Sequence, residues 1–173
     1  MLKRISFLVI FPIIIYGQTF EVEGKSKITY YGYHFAHNWQ GHSNNISGSI
    51  HYNSTNKAVN SCSLRVNLST FDSGNSNRDS NMLTNLNAFV YPDVVFVSSS
   101  ISIKGEDAFI KGRLTLHGVT KEVDVTAKLI LADRFIASGT FEILLSDFGI
   151  ERPALLFQKI KDEMRIEYMI IGK

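Results

Sequence analysis

Strict alternation of apolar and polar residues limits most of this chain to β-strands. Apolar residues occupy every second position over much of the segment 119–131, and the same period of two recurs at 46–52, 62–68, 135–145 and 164–170. Side chains of a strand point to opposite faces in turn, so each segment has one apolar and one polar face. Helical periodicity is nearly absent, and short turn sequences such as His117-Gly118 separate the segments.

Antiparallel strands that each carry one apolar face must stack or close on themselves. The pattern therefore predicts an all-β domain, a closed antiparallel up-and-down barrel of about eight strands. Gly112 and Gly139, inside strands, are candidates for the sharp coiling that closure requires. A barrel of this size encloses either packed side chains or one slender ligand, and the alternation leaves both open.

One segment, residues 77–86, breaks the alternation and predicts a short helix that acts as a lid over one barrel end. Asp79 or Ser80 is the expected N-cap. Met82, Leu83 and Leu86 would then share the face that points inward.

The N-terminus has the composition of a secretory signal peptide. Lys3 and Arg4 precede an apolar run from residue 5 to 15, and the small residue Gly17 comes before a polar start. The run is shorter than the ~20 residues that cross a bilayer, which disfavours the alternative of a retained membrane anchor. We therefore expect a signal peptide at 1–17, a single domain at 18–173, and a periplasmic or extracellular location.

Composition excludes some partners. The chain carries 18 basic and 16 acidic side chains, a net charge of +2, which is too balanced for nucleic acid or an anionic membrane as the main partner. Cys62 is the single cysteine and cannot form an internal disulfide. Its place on an alternating segment predicts a small buried apolar residue rather than a reactive thiol.

The sequence offers little chemistry. His34, His37 and His42 form its densest polar cluster, but His34 and His37 differ in parity and would point to opposite faces of a straight strand. A metal site would require a bend there and a further ligand from elsewhere, and the spacing matches no common zinc pattern. Nucleophile-elbow and His-Glu-x-x-His motifs are absent from the sequence. We therefore predict no catalytic residue, no cofactor and no metal.

Four motifs in order carry a family resemblance. They are Asp72-Ser73-Gly74-Asn75 with Arg78-Asp79, then Phe89, Tyr91, Pro92 and Phe96, then Gly112 to Lys121, and finally Ser146-Asp147-Phe148-Gly149. Together they resemble the YceI-like family of exported, lipocalin-like barrels, from about residue 20 to the C-terminus. The resemblance implies a carrier of polyisoprenoid quinones or their precursors. The stretch from His34 to Gly41 departs from the family pattern and indicates a subgroup.

The predicted function is lipid binding in a barrel tunnel, for transport or storage. Inward parity and the lid pattern place these residues along the tunnel: Leu64, Val66, Met82, Leu83, Phe89, Phe96, Leu114, Leu116, Val123, Val125, Phe141 and Ile143. Asp72 is expected to form an Asx-turn and Arg78 to pin the lid, through Asp72 or a C-terminal carbonyl. Arg78 and His117 are also candidates for contact with a polar head group.

Two alternatives remain beside the lipid carrier. One is an envelope stress or structural protein with a filled barrel, and the other is a metal-dependent enzyme that uses the histidine cluster. The expected partner is an isoprenoid or another long-chain lipid and not nucleic acid. The sequence leaves open a transient contact with a membrane and the formation of a dimer.

Overall fold

A computed structural model describes residues 17–173, with the exception of residues 54, 57, 132, 133 and 156. The predicted signal peptide lies outside the described residues apart from Gly17, which is the first residue of a strand. The turn predicted at 132–133 also lies outside them.

Within the described residues the chain forms twelve strands and one α-helix. The strands are β1 (Gly17–Glu21), β2 (Lys27–Tyr33), β3 (Asn38–Ser43), β4 (Ile46–Asn53), β5 (Ala58–Asn67), β6 (Asp93–Lys104), β7 (Asp107–Leu116), β8 (Val119–Leu131), β9 (Phe135–Leu144), β10 (Ala154–Leu155), β11 (Gln158–Lys159) and β12 (Glu163–Gly172). The helix α1 (Ser76–Asn85) follows β5, and two short 3-10 turns lie at Leu68–Thr70 and Leu145–Phe148.

Ten of these strands form one curled antiparallel sheet, in the order β1-β4-β5-β6-β7-β8-β9-β12-β2-β3. The strands β10 and β11 form a separate small hairpin. The predicted all-β class and antiparallel pairing are confirmed, whereas a closed barrel of eight strands is not. The sheet has ten strands, with β1 and β3 at its two edges.

Backbone contacts outside the ladders join distant parts of the curled sheet. The chain beyond β1 runs beside the end of β12, where the Glu21 amide donates to the Lys173 carbonyl at 3.0 Å and Val22 pairs with Gly172. At the other edge, His42 of β3 exchanges two backbone hydrogen bonds of 2.9 Å with Asp72. The second contact fixes the segment that leads into α1 against the edge of the sheet.

The predicted parity of the strands is confirmed by burial. On β8, for example, Val125, Ala127 and Leu129 are buried while the residues between them are exposed. The buried residues form two clusters inside the curled sheet. The first cluster contains Ile46, Ile50, Val59, Cys62, Val66, Ala108, Ala127, Leu129, Phe135, Ala137 and Ile170. The second contains Leu68, Leu114, Leu116, Ile143, Leu145, Phe148 and Ile150.

The turn between β7 and β8 has the tight geometry predicted for His117-Gly118. Both residues have positive φ, 53° for His117 and 74° for Gly118, as a two-residue hairpin of this type requires. Gly118 is needed for a second reason, because a Cβ atom there would lie 2.6 Å from the Tyr91 ring. A substitution at Gly118 would therefore strain the backbone and displace Tyr91.

Gly112 also has a definite packing role. A Cβ atom at this position would lie 2.4 Å from the Phe96 ring on the neighbouring strand β6. The register of β6 against β7 shifts between Ser98 and Ser100, directly beside this glycine. Gly112 thus lets an aromatic side chain lie over the strand where the sheet is irregular.

The helix predicted at 77–86 is present as α1, but its cap differs from the prediction. Asn75 is the N-cap and its side chain accepts a hydrogen bond of 3.0 Å from the Arg78 amide. Asp79 lies in the first turn, where its carboxylate accepts from the Ser73 amide and favours the positive end of the helix dipole. Among the helices of the described residues, none is long and apolar enough to span a membrane.

Candidate functional site

The curled sheet encloses a cavity of about 810 Å³ that extends through both buried clusters. Ala108, Leu129 and Phe135 line it at one end, and Leu116 and Leu145 line it toward the other. These residues point inward because each occupies the apolar parity of its strand. The interior is therefore a hollow lined mainly by hydrocarbon rather than a filled core.

Most of the residues predicted to line the tunnel do line this cavity. The nine that do so are Leu64, Val66, Met82, Phe96, Leu114, Leu116, Val125, Phe141 and Ile143. Leu83 and Val123 instead pack against the second cluster. Phe89 is fully exposed, because Ala88 rather than Phe89 packs against the second cluster in the turn that follows Asn87, whose φ is 46°. Contact of the nine residues with a ligand remains a prediction.

The cavity opens at the end of the sheet that α1 covers. Six lining residues are also exposed to solvent, and they mark the opening: His37, Asn75, Asn77, Asn81, Pro153 and Ala154. They belong to α1 and its cap, to the β2–β3 turn and to the segment at the start of β10. We call this end of the sheet the mouth, and the end that carries the β6–β7 turn the closed end.

One face of α1 forms a polar roof over the mouth. Asn77, Asn81 and Asn85 recur every fourth residue and all line the cavity, beside Met82 and Leu86. Residues at this spacing share one face of a helix. Each amide offers two donors and one acceptor, so this roof can hydrogen-bond a polar group that reaches the mouth.

Tyr30 on β2 supplies a buried polar group that the sequence analysis missed. Its side chain lines the cavity and is 8% exposed, and its hydroxyl has no hydrogen-bond partner. The hydroxyl of the nearby Ser73 donates to the Asn75 carbonyl at 3.4 Å. Burial, followed by the nearby Asp79 carboxylate, raises the pKa of Tyr30 to about 12, so the hydroxyl keeps its proton. The hydroxyl is a buried donor without an acceptor, and it packs over Gly41 of β3, where a Cβ atom would lie 2.6 Å from it.

A signal for Tyr30 exists in the sequence. Ile28, Tyr30, Gly32 and His34 alternate with the intervening residues of β2, and the last three are all buried. The alternation was hard to recognise because tyrosines occupy both faces in Tyr30-Tyr31-Gly32-Tyr33, so hydropathy does not separate them.

The residues predicted to brace the lid take local structural contacts. The Asp72 carboxylate accepts from the Gly74 amide at 2.7 Å, which is the predicted Asx-turn. Arg78 Nη1 donates to the Ser73 carbonyl at 3.3 Å rather than to Asp72 or a C-terminal carbonyl. Arg78 also lines the cavity beneath α1. His117 does not line it, and its Nδ1 donates to the Phe148 carbonyl at 3.1 Å.

The three histidines have separate environments. His34 is buried, its Nδ1 accepts from the Ala36 amide at 3.3 Å and its Nε2 donates to the Gln158 carbonyl at 3.2 Å. His37 is exposed at the mouth, and its ring centroid lies 6.1 Å from that of His34. His42 lies along β3 opposite Thr29. Among the residues that the structure describes, no group of three or more His, Cys, Asp or Glu side chains is placed to hold a metal ion.

Comparison with known proteins identifies the family. The profile of the YceI-like domain matches residues 21–171. The chain belongs to the YceI-like family. A UPF0312 protein of Pseudomonas aeruginosa is 30% identical over 128 residues, which are 68% of this chain and 67% of the relative. Protein YceI of Escherichia coli is 33% identical over 100 residues, 56% of this chain and 52% of the relative.

Solved structures show the same fold. BcnA of Burkholderia cenocepacia matches with a TM-score of 0.79 at 21% identity, over 88% of this chain and 99% of the BcnA chain. A polyisoprenoid binding domain from Saccharophagus degradans matches with a TM-score of 0.69 at 13% identity, over 89% of this chain and 97% of that domain.

In this YceI-like chain, the four sequence motifs meet around the mouth. The motif from Asp72 to Asp79 shapes the approach to α1, and Tyr91 of the second motif packs edge-on against His117 of the third, 5.6 Å between ring centroids. His117 in turn donates to Phe148 of the fourth motif. The last three motifs are thus connected by direct contacts, and the first motif forms the start of α1 at the same end of the sheet.

Proposed function

We propose that this protein binds a long apolar lipid of the polyisoprenoid class in its cavity, for transport or storage, and that it performs no catalysis. The main support for this proposal is the cavity. Its volume of about 810 Å³ lies in the range of small-molecule sites, and an interior filled by side chains would leave no such space. This observation favours a carrier over a structural protein with a filled barrel.

The lining accounts for tight binding without specific polar contacts. Each methylene moved from water into an apolar cavity contributes ~0.8 kcal/mol, so a polyprenyl tail gains affinity with its length. The closed end is lined mainly by apolar side chains, from residues such as Leu129 and Phe135. The tail is therefore expected to lie toward the closed end.

The polar end of the lipid would lie at the mouth. The Arg78 guanidinium and the amides of α1 are among the donors that line the mouth, and the unpartnered Tyr30 hydroxyl is buried behind this lining. A buried donor without a partner costs free energy, and a ligand that supplies an acceptor removes this cost. An acceptor-rich head group would satisfy Tyr30 in the complex.

The choice of a polyisoprenoid among apolar lipids draws on the family resemblance. The structural neighbour from Saccharophagus degradans is described as a polyisoprenoid binding domain. The N-terminal composition of the chain supports export, so we place the carrier in the periplasm or outside the cell.

Mass spectrometry of organic extracts tests the proposal directly. The protein is purified from its own cell envelope, and we expect a prenyl lipid in the extract. Phe141→Arg places a charge in the cavity and should abolish lipid co-purification, whereas the matched control Phe141→Leu should retain it. Circular dichroism establishes that both variants keep the sheet. An extract without lipid, or a folded Phe141→Arg variant that still carries it, would contradict the proposal.

The histidines separate a carrier from a metal-dependent enzyme. If the protein is a carrier, single alanine variants of His34, His37 and His42 should keep their bound lipid. His34→Ala should lower stability by ~1–2 kcal/mol, because it removes two hydrogen bonds at a buried position. Stoichiometric zinc, iron or copper in the native protein, lost with function in the three variants, would instead support the enzyme.

A further inference from the structure

Three phenylalanines project into solvent around the mouth. Phe89 and Phe157 are fully exposed, and Phe35 is 67% exposed. Phe35 lies in the β2–β3 turn, Phe157 in the β10–β11 turn and Phe89 beyond the C-terminal end of α1. A single exposed apolar residue is ordinary, but three large aromatic side chains on the turns of one end require an explanation.

Phe35 and Phe157 lie on two turns that are fastened together. The buried His34, which precedes Phe35, donates from Nε2 to the carbonyl of Gln158, the residue after Phe157. A shallow surface pocket next to this contact is lined by Tyr33, Phe35, Gln158 and Lys159, among others. The two phenylalanines therefore belong to one surface beside the cavity opening, which Pro153 and Ala154 also border.

The backbone at Phe157 shows that this side chain is held outward at a cost. Its φ is 66°, in the left-handed region that glycine and asparagine adopt readily and aromatic residues do not. A turn that served only to reverse the chain would be more stable with Asn or Gly at this position. The turn instead presents a phenylalanine to solvent.

Basic side chains accompany the aromatic ones. Lys159 and Lys161 are exposed on the same segment, and the Lys161 ammonium lies 5.9 Å from the centre of the Tyr33 ring. The nearby Asp162 carboxylate is already engaged by Ser146 and Arg152. Glu151 and Glu163 are also exposed on this connection, but both lie outside the β10–β11 hairpin, whose one charged residue is Lys159. The nearly balanced net charge of the whole chain therefore gives no information about the charge beside Phe157.

We propose that the mouth docks on a lipid bilayer that contains anionic headgroups, with Phe35 and Phe157 inserted at its interface and Phe89 supporting them from the far end of α1. Aromatic side chains enter the boundary of headgroups and acyl chains, and lysines beside them pair with anionic lipids. The inference rests on the proposed function, because docking in this orientation lets a lipid pass between the bilayer and the cavity without crossing water.

Vesicle sedimentation with the full folded protein tests the docking surface. The probe is a vesicle of equal parts phosphatidylglycerol and phosphatidylcholine, compared with one of phosphatidylcholine alone. Phe157→Asn and Phe35→Ser should each weaken binding about tenfold, which corresponds to the burial of one aromatic side chain. Phe157→Asn relieves the left-handed strain, so it should not unfold the protein. Lys159→Gln should weaken binding only to the anionic vesicles, by about fivefold.

Phe109→Ser is the matched control. Phe109 is also an exposed phenylalanine, 47% accessible, but it lies on β7 toward the closed end. Its replacement should leave vesicle binding within about twofold of the original, since surface substitutions away from a contact have small effects. Equal losses for Phe109→Ser and the two mouth variants would overturn the proposal, as would a protein that binds neither vesicle.

The design separates docking from lipid storage. The double variant with Phe35→Ser and Phe157→Asn should keep its co-purified lipid while it loses vesicle binding. Phe141→Arg should lose the lipid and keep vesicle binding, and a protein that never holds lipid can still be scored for docking. Self-association through the mouth, detected by ultracentrifugation and abolished by the double variant without any vesicle binding, would replace the bilayer with a second copy of the chain and refute docking.

Discussion

The two ends of the curled sheet are built in different ways. At the closed end, Ala108, Ala127 and Phe135 are buried on antiparallel ladders without a register shift. At the mouth, the described residues include the three non-glycine positions with positive φ, which are Asn87, His117 and Phe157. Regular pairing satisfies every backbone group and makes an end rigid, whereas irregular turns hold side chains in positions that a ladder forbids. Both ends therefore bury apolar side chains, but only the mouth adds the irregular turns that carry the candidate function.

The largest expected effect on stability comes from a comparison of two phenylalanines, one at each end of the sheet. Phe135→Ala at the closed end should lower the free energy of unfolding by ~3–5 kcal/mol, because the residue is buried in the first cluster. Phe89→Ala at the mouth should change it by less than ~0.5 kcal/mol, since that side chain is fully exposed. Urea titration of both variants measures the two values. Similar losses in the two variants would mean that the mouth shares the stabilising role.

The lid offers a smaller and more local test. Asp72→Ala removes the 2.7 Å hydrogen bond to the Gly74 amide, and Arg78→Ala removes the bond to the Ser73 carbonyl. Each should cost about 1 kcal/mol and loosen α1 first. Amide hydrogen exchange should become faster at residues 82–86 while β8 stays protected. Uniform acceleration over the whole sheet would show that the two residues support the global fold instead.

A pH-dependent test concerns Asp162, which ties the turn at Leu145–Phe148 to the start of β12. The Ser146 hydroxyl and amide hydrogen bonds lower the pKa of this carboxyl below its ordinary value of 3.8. The stabilisation is therefore present above pH 3.8 and is lost as the pH falls through the lowered pKa. Asp162→Asn should be less stable than the original protein at neutral pH, and the difference should vanish in acid. Thermal melts across this range measure it, and a difference that persists in acid would contradict the assignment.

The smallest expected effect on stability belongs to Tyr30→Phe. The hydroxyl has no partner, so its removal should leave the free energy of unfolding unchanged or slightly higher. Lipid affinity should nevertheless fall, by up to about tenfold, if the head group accepts from this donor. A stability measurement beside a binding titration checks both. A clear loss of stability with unchanged affinity would show that Tyr30 is a structural residue.

Much of the fold was predictable because strand parity is local. The inward face of β8 follows from its alternation, and the helix at Ser76–Asn85 follows from the interruption of that pattern. The N-cap was predicted at Asp79 or Ser80 and is Asn75, because several residues with capping side chains follow one another there. Phe89 was predicted to line the cavity and is exposed to solvent. The positive φ of Asn87 changes the direction of the backbone, so the alternation of faces before this residue does not continue after it.

The sequence by itself determined the class of the protein, the alternation of its strands, the tight turn at His117-Gly118 and its family. Each of these depends on short-range rules, namely which face a side chain takes and which residues accept positive φ. Only the tertiary structure decided that the interior is hollow, that Tyr30 lacks a partner and that Phe35 and Phe157 lie beside the opening. These features depend on how far a ten-stranded sheet curls and on which turns it brings together. The same alternation is compatible with a packed core and with a cavity, and the difference arises from the dimensions of the sheet.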